Sequence, residues 1–578
     1  MIRRFVGAAA LSAAFVSIVP FVAVAQRGAP GANEQVDMAA YAKIRAEGMD
    51  RSKVMDIASW LTDVYGPRLT GSPNMYKAAD WTVKAMKDWG IANVHTETWG
   101  PFGHGWQNQG FTAQVVAPQA YPIVAYPTPW SFGTNGVASG EVVLGVTIRD
   151  SSDIAKYTGK LRGKWIMADS ALNAPSHFTP VACRLDAAQL QLAVDVQRET
   201  NCATPADSQR AAFERQGQGR GGRGGAPGGR GGRGGAGTGL SPQQINDFYV
   251  REGVLGVLHS GSGRYTDLVT AVQGGQAPQT IPTSGVANIT IAQDNYGRMY
   301  RTAQKGVPVR VEINAKNVFS PDTGSINIVG EIPGTDPVLK NEVVMLGGHF
   351  DSWASGTGAT DNAAGSSIML EALRILKTLN MPMKRTVRIA LWTGEEQGLL
   401  GSRAYVRQHF GCWDTDSAHA THFTPDRDKV AGYFNVDNGG GAIRGVYAEH
   451  NETIVPLFKQ WLAPFADLGA TTVTLAPTTG TDHQSFDAIG LPGFQFIQDD
   501  LDYGNHTHHT NADVYERLIP HDMMQNAVIV ATFVYNTANR AQQLPHDKPM
   551  SAWQGGRGTC PAPAGAGGGR GRGRGGNE

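Results

Sequence analysis

Apolar residues recur along this chain in two rhythms, and these divide it into parts. From Met38 to Leu61 and from Met75 to Trp89 they fall at helical spacing, and a strand is expected near Asn93–Thr98. A β-rich stretch follows, with strand candidates at Glu141–Val146, Lys164–Ala168, Val254–His259 and Val309–Ile313. Its spacing predicts a separate inserted domain. From about Gly324 to Asn539 strands alternate with helices, the pattern of a mostly parallel, helix-covered mixed sheet of the α/β class. Strands are predicted there at Val343–Leu346, Val387–Trp392, Tyr433–Val436 and Phe494–Ile497. The first has no polar alternation, as in a strand buried on both faces. Residues 35–115 and 319–545 are thus expected to build one domain, with residues 116–318 set between them.

Two tracts interrupt this order. Residues 216–239, "QGQGRGGRGGAPGGRGGRGGAGTG", and the tail over residues 546–578 are too rich in glycine to offset the entropy of ordering, so both are expected to be disordered. An RGG-type nucleic-acid role would need aromatic residues to stack on bases, and the Arg/Gly runs contain none. The whole chain balances 50 basic against 50 acidic residues, which also argues against binding driven by phosphate charge. No nucleic-acid partner is expected.

Residues 1–25 carry Arg3 and Arg4, an apolar run, and Ala23-Val24-Ala25, a small-x-small cleavage pattern. They read as a secretory signal, with an uncleaved anchor as the alternative. No later segment stays apolar long enough to span a bilayer, so the mature chain is expected to be exported, periplasmic or extracellular, without stable membrane insertion. An oxidising compartment permits disulfides. Cys183 and Cys202 flank a helical stretch and form the expected pair, with Cys412 and Cys560 remote in sequence.

In an open α/β sheet, ligands collect beyond the carboxyl ends of the strands. After Val343–Leu346 comes "GGHFDSW", in which His349 and Asp351, two residues apart in extended chain, share a face. "TDNAAG" then opens a helix whose Ile368, Ala372, Leu373, Leu376 and Leu379 repeat at helical spacing, placing Asp361 at its start. Glu395 and Glu396 follow Val387–Trp392, Asp437 follows Tyr433–Val436, and "YGNHTHHTNAD" follows Phe494–Ile497. Singly, each has a plain structural reading as a helix cap or solvated acid. Together, carboxylates and histidines placed directly after apolar strands make a mixed nitrogen and oxygen donor set that suits a pair of zinc ions.

The ordered motifs "GGHFDSW", "TDNAAG", "WTGEEQG", "NVD", "GTDHQSF" and "HHTNAD", with "YGPRLTGSP" near the N-terminus, resemble the di-zinc exopeptidase family of secreted aminopeptidases and glutamate carboxypeptidases. The resemblance implies a zinc-dependent exopeptidase acting on short peptides, two Zn2+ ions and a homodimer. His349 and Asp437 would hold one ion, Glu396 and His509 the other, and Asp361 would bridge them. Glu395 would be the general base for a water shared by the ions. Asp351 would hold the His349 ring by its free N–H, and His508 would either help to hold the developing oxyanion or lie on the surface. His506 is left as a loop residue. Asp482 or His483 would either contact substrate or form a structural turn. The inserted β-rich part would be a protease-associated domain. Two readings compete: a relative that keeps the metals but closes rings or cleaves non-peptide amides, and a non-catalytic binding relative. The presence of both glutamates and all five ligands argues against the second.

Overall fold

The computed structural model describes residues 36–171, 180–197, 239–261, 268–275, 277–413 and 421–545. The signal-like residues 1–25, residues 216–238 of the glycine tract, Cys202 and the tail with Cys560 lie outside them. Two eight-stranded sheets organise the described residues. In the first, the spatial order is Ala92–Trp99, Ser325–Ile332, Thr386–Trp392, Val343–His349, Val430–Asn435, Gly493–Gln498, Ile443–Tyr447 and Thr472–Thr474. The four central strands from Thr386–Trp392 to Gly493–Gln498 run parallel, so their carboxyl ends share one edge. The mixed α/β class read from the apolar rhythm is what the structure holds.

The strand residues divide between two cores by alternation. Val344, Leu346, Val387, Ile389, Leu391 and Phe434 point into a core with the helices Met38–Asp50, Val54–Ser59, Ala364–Thr378 and Pro520–Asn539. Val343, Met345, Ala390, Trp392 and Tyr433 enter a second core on the opposite face, with Tyr405, Phe410 and Phe486. Both faces are apolar because both are covered. The pattern from Met38 to Leu61, which reads as one helical region, breaks at residues 51–53: Ser52 Oγ and Lys53 N turn aside to donate to Glu371.

The second sheet has the order Tyr121–Pro122, Trp106–Ala117, Arg310–Phe319, Ala138–Leu144, Lys164–Met167, Gly256–Ser260, Ala287–Ile291 and Ala125–Pro127. Its chain enters after Ala92–Trp99 and returns before Ser325–Ile332, both strands of the first sheet. The expected boundary between residues 115 and 116 falls inside Trp106–Ala117. That strand pairs along its length with Arg310–Phe319 and so belongs wholly to the second sheet. Its half-exposed polar positions hide it from an apolar-run reading.

Segment 180–197 packs on the first sheet. Cys183 and Leu501 exchange backbone hydrogen bonds of 3.0 and 2.9 Å, and Arg184 reaches Asp499 at 2.8 Å and Asp522 at 2.9 Å. Cys183 and Cys412 are both disulfide-bonded. No helix among the described residues is long and apolar enough to cross a membrane.

Candidate metal centre

The four parallel strand ends deliver their polar residues to one place. His349 closes its strand and is fully buried. Its Nε2 stands 3.1 Å from Asp361 Oδ1, 3.0 Å from Asp437 Oδ1 and 4.0 Å from Glu395 Oε2. On the opposite side, His509 Nε2 stands 3.2 Å from Asp361 Oδ2 and 2.9 Å from Glu396 Oε2. Each oxygen of the Asp361 carboxylate therefore faces a different imidazole. His508 stacks on His509 at 3.7 Å between centroids, but its Nε2 is 3.7 Å from Asp361 Oδ2.

Asp361 does not cap the helix that follows. Ala363 is the capping residue of Ala364–Thr378, and Asp361 has extended backbone angles that free its carboxylate for the site. Asp513 holds it there: Oδ1 accepts from Thr360 N at 2.6 Å and Thr360 Oγ1 at 2.8 Å, and Oδ2 accepts from Asp361 N at 3.1 Å. Gly365 lets that helix approach the Asp437 strand, because a β-carbon there would lie 2.1 Å from Val436 O.

Asp351 acts differently from the sequence expectation. His349 Nδ1 donates to the Asp351 backbone carbonyl at 3.0 Å, while the carboxylate lies farther off at 3.6 Å. The carboxylate instead accepts from Thr70 Oγ1 at 2.6 Å and Glu395 N at 3.3 Å, and Thr70 Oγ1 accepts from Gly394 N at 3.0 Å. Asp351 thus ties the histidine strand to the Glu395 turn. Asp482 and His483 are fully buried, the first against Ser402 and the second 3.3 Å from Glu449. That burial supports the structural alternative for "GTDHQSF".

Arg68, in the "YGPRLTGSP" stretch, carries no role in the sequence reading. Its buried guanidinium donates to the carbonyls of Phe350 (2.7 Å), Leu61 (2.8 Å), Gly358 (2.9 Å) and Thr357 (3.0 Å). It therefore shapes the turn leaving His349, where Gly358 adopts a positive φ of 64° and packs against Ser352. Asp63, Thr70 and Ser72 stand close to it in sequence, so nothing in the local polarity marks this arginine out.

Buried negative charge dominates the electrostatics. Burial pushes Glu395 well above the usual carboxylate range, opposed by His349 and reinforced by Asp437, Asp482 and Glu396. Burial and then Asp361 raise Glu396 from 4.5 to about 7. Burial opposes charge on His349, yet Asp437 and Glu395 hold it well above 6.5. His509 is raised in the same way by Glu396 and Asp361, against its burial. Asp361 is also buried, but its hydrogen bonds from His349 and His509 bring it well below 3.8.

Carboxylates this closely packed call for cations, and the donor set suits zinc. Donors bonded to one tetrahedral zinc at about 2.0–2.2 Å lie roughly 3.3 Å apart, close to the spacing of the His349 and His509 nitrogens from their carboxylates. Donor atoms of His349, Asp361 and Glu396 lie within 4.8 Å of one another, as do those of Asp361, His508 and His509. Among the described residues, Glu396 Oε1 is buried without a hydrogen-bond partner.

Imidazoles and carboxylates meeting at the carboxyl edge of a parallel sheet define a metal-dependent hydrolase. Residues 327–534 match Peptidase family M28, and the chain is a zinc-dependent metallopeptidase. It is 26% identical over 513 residues to carboxypeptidase Q of Pongo abelii, covering 88% of this chain and 89% of that protein. A shorter match, 36% over 133 residues, joins it to a probable leucine aminopeptidase 2 of Arthroderma benhamiae, covering 23% and 24% of the two chains. The crystal structure of a peptidase M28 precursor from Shewanella amazonensis SB2B shares the fold, with a TM-score of 0.58 at 21% identity, covering 89% of this chain and 98% of that one.

Proposed function

We propose that this chain is an exported exopeptidase that holds two zinc ions and hydrolyses short peptides. The observation that carries the reading is the Asp361 carboxylate, set between two imidazoles that come from opposite ends of the catalytic segment. His349 and Asp437 would hold one ion, and Glu396 and His509 the other, with Asp361 shared. His509 rather than His508 fits this role because it alone of the two meets both Asp361 and Glu396. The ions, when bound, supply Lewis acidity toward the scissile carbonyl and toward water.

The remaining work belongs to the side chains. Glu395 Oε2 lies 4.0 Å from His349 Nε2, near enough to the donor set to take the proton of the attacking water and return it to the leaving amine nitrogen. Burial raises its proton affinity above that of an ordinary carboxylate, which suits a group that must both accept and release a proton. Thr70 and Asp351 keep its backbone in register with His349. His508, partly exposed beside His509, would steady the oxyanion. The second sheet fits the inserted protease-associated domain. The disulfides at Cys183 and Cys412 support an oxidising compartment.

The test is hydrolysis of a panel of dipeptides, aminoacyl amides and C-terminally varied peptides, with and without chelator. Activity should vanish with metal removal and return with zinc. Glu395→Gln should lower kcat by about 100- to 10,000-fold while leaving zinc bound. Unchanged turnover in that variant would remove the proposed base.

A further inference from the structure

His509 has two ring nitrogens, and the carboxylates of the centre take only one. Nδ1 points away from them and meets Oε1 of Gln273 in a close hydrogen bond. Gln273 does not come from the catalytic segment. It lies in the described segment 268–275, between the second-sheet strands Gly256–Ser260 and Ala287–Ile291.

The same segment also grips the backbone around His509. Val272 N donates to His509 O at 3.2 Å, and Asn511 N donates to Thr270 O at 3.2 Å. Ala271 and Thr510 form an antiparallel bridge between them. The Asn511 side chain completes the clasp, its Oδ1 accepting from Thr270 N at 2.7 Å and its Nδ2 donating to Leu268 O at 3.3 Å. His509 itself sits at φ 62°, a left-handed conformation that a residue with a β-carbon keeps only where its surroundings hold it. The two imidazoles of the centre thus differ. His349 is oriented by the carbonyl of Asp351 in its own strand end, His509 by a side chain from the other sheet.

We propose that Gln273 is a positioning residue for His509, its amide oxygen taking the Nδ1 proton so that Nε2 is left as the donor facing Asp361 and Glu396. A ligating imidazole keeps a lone pair on one nitrogen and its hydrogen on the other. An acceptor for that hydrogen fixes both the tautomer and the ring angle, and makes the ring a better donor. The second sheet therefore completes the metal centre on the His509 side and leaves the His349 side to the catalytic sheet. This rests on His509 being a zinc ligand.

The experiment compares full-length wild type, Gln273→Leu and Gln273→Glu, titrating zinc-loaded protein with a competing chelator. The unfolding of each metal-free protein is measured alongside. Wild type should release two ions. Gln273→Leu should release one of them at a chelator concentration about ten- to a hundredfold lower and the other unchanged, with metal-free stability as in wild type. Gln273→Glu, which keeps an acceptor at the same reach, should hold both ions at least as tightly as wild type. Gln273→Leu holding both ions with wild-type affinity would overturn the proposal while leaving the two-zinc reading in place. So would a loss in Gln273→Leu that Gln273→Glu fails to restore and that metal-free unfolding shares. Wild type that binds no zinc would dismiss the reading of His509 and this proposal with it.

Discussion

Replacing Arg68 by Met keeps most of the side chain's length and removes its donors. The carbonyls of Leu61, Phe350 and Gly358 would then be left in the buried interior, and that of Thr357 half-buried. A buried carbonyl without a partner costs about 1–3 kcal/mol, so the four together imply a loss of at least about 4 kcal/mol, a large part of the stability of an ordinary domain. The guanidinium is also a cation beneath an acidic site. Burial lowers it to about 10, against the pull of Asp513, Asp351, Asp361 and Glu396. Losing that positive charge would by itself favour cation binding, so weaker zinc binding in whatever fraction still folds would report the lost shape of the turn after His349. Arg68→Lys should recover little, since an ammonium has three donors and no planar fork. Denaturant unfolding of chelated wild type and both variants measures the first effect, and zinc titration the second. An Arg68→Met protein within about 1 kcal/mol of wild type, with normal zinc affinity, would refute the idea that this residue shapes the turn after His349.

Two further outcomes follow from the same geometry. Burial raises Glu396, Asp482 and Asp513 each to about 7, so the metal-free folded state binds protons that the unfolded chain has released. Its stability should fall as pH rises from about 5 to about 8, and the raised histidines push in the same direction above 6.5. Asp361, lowered instead, contributes a constant stabilisation across that window, which is lost only as pH falls below it. The stabilisation given by zinc should grow over the same interval, which thermal unfolding with and without chelator will show; a chelated chain that gains stability toward pH 8 contradicts it. Thr70→Val leaves Asp351 Oδ2 and the Gly394 N–H unpaired beside Glu395. It should cut kcat about tenfold or more with KM and zinc content little changed, and steady-state kinetics with metal analysis decides it.

Much of this centre was legible because its chemistry is local. His349, Glu395, Glu396 and Asp437 each directly follow a strand buried on both faces, and such strands read as plain apolar runs. Ser325–Ile332 lies in the same sheet and did not stand out. Its buried positions include Ser325, Asn327 and Glu331, which are satisfied by Thr393, by the Gly401 carbonyl and by Arg388. Those partners come from distant stretches of chain, so the strand looks polar until it is folded. Arg68 and Gln273 were hidden for the same reason, since each acts on a neighbour that only tertiary structure supplies. Asp351 was expected on the same strand face as His349, but the strand ends at His349, so which of the Asp351 oxygens meets the ring depends on the turn that follows. No periodicity encodes that.

The most direct measurement is anomalous scattering at the zinc edge from crystals of the zinc-loaded chain. Two peaks should flank the Asp361 carboxylate, one against His349 Nε2 and Asp437, the other against His509 Nε2 and Glu396. A single peak, or density that leaves His509 without an ion, would contradict the account.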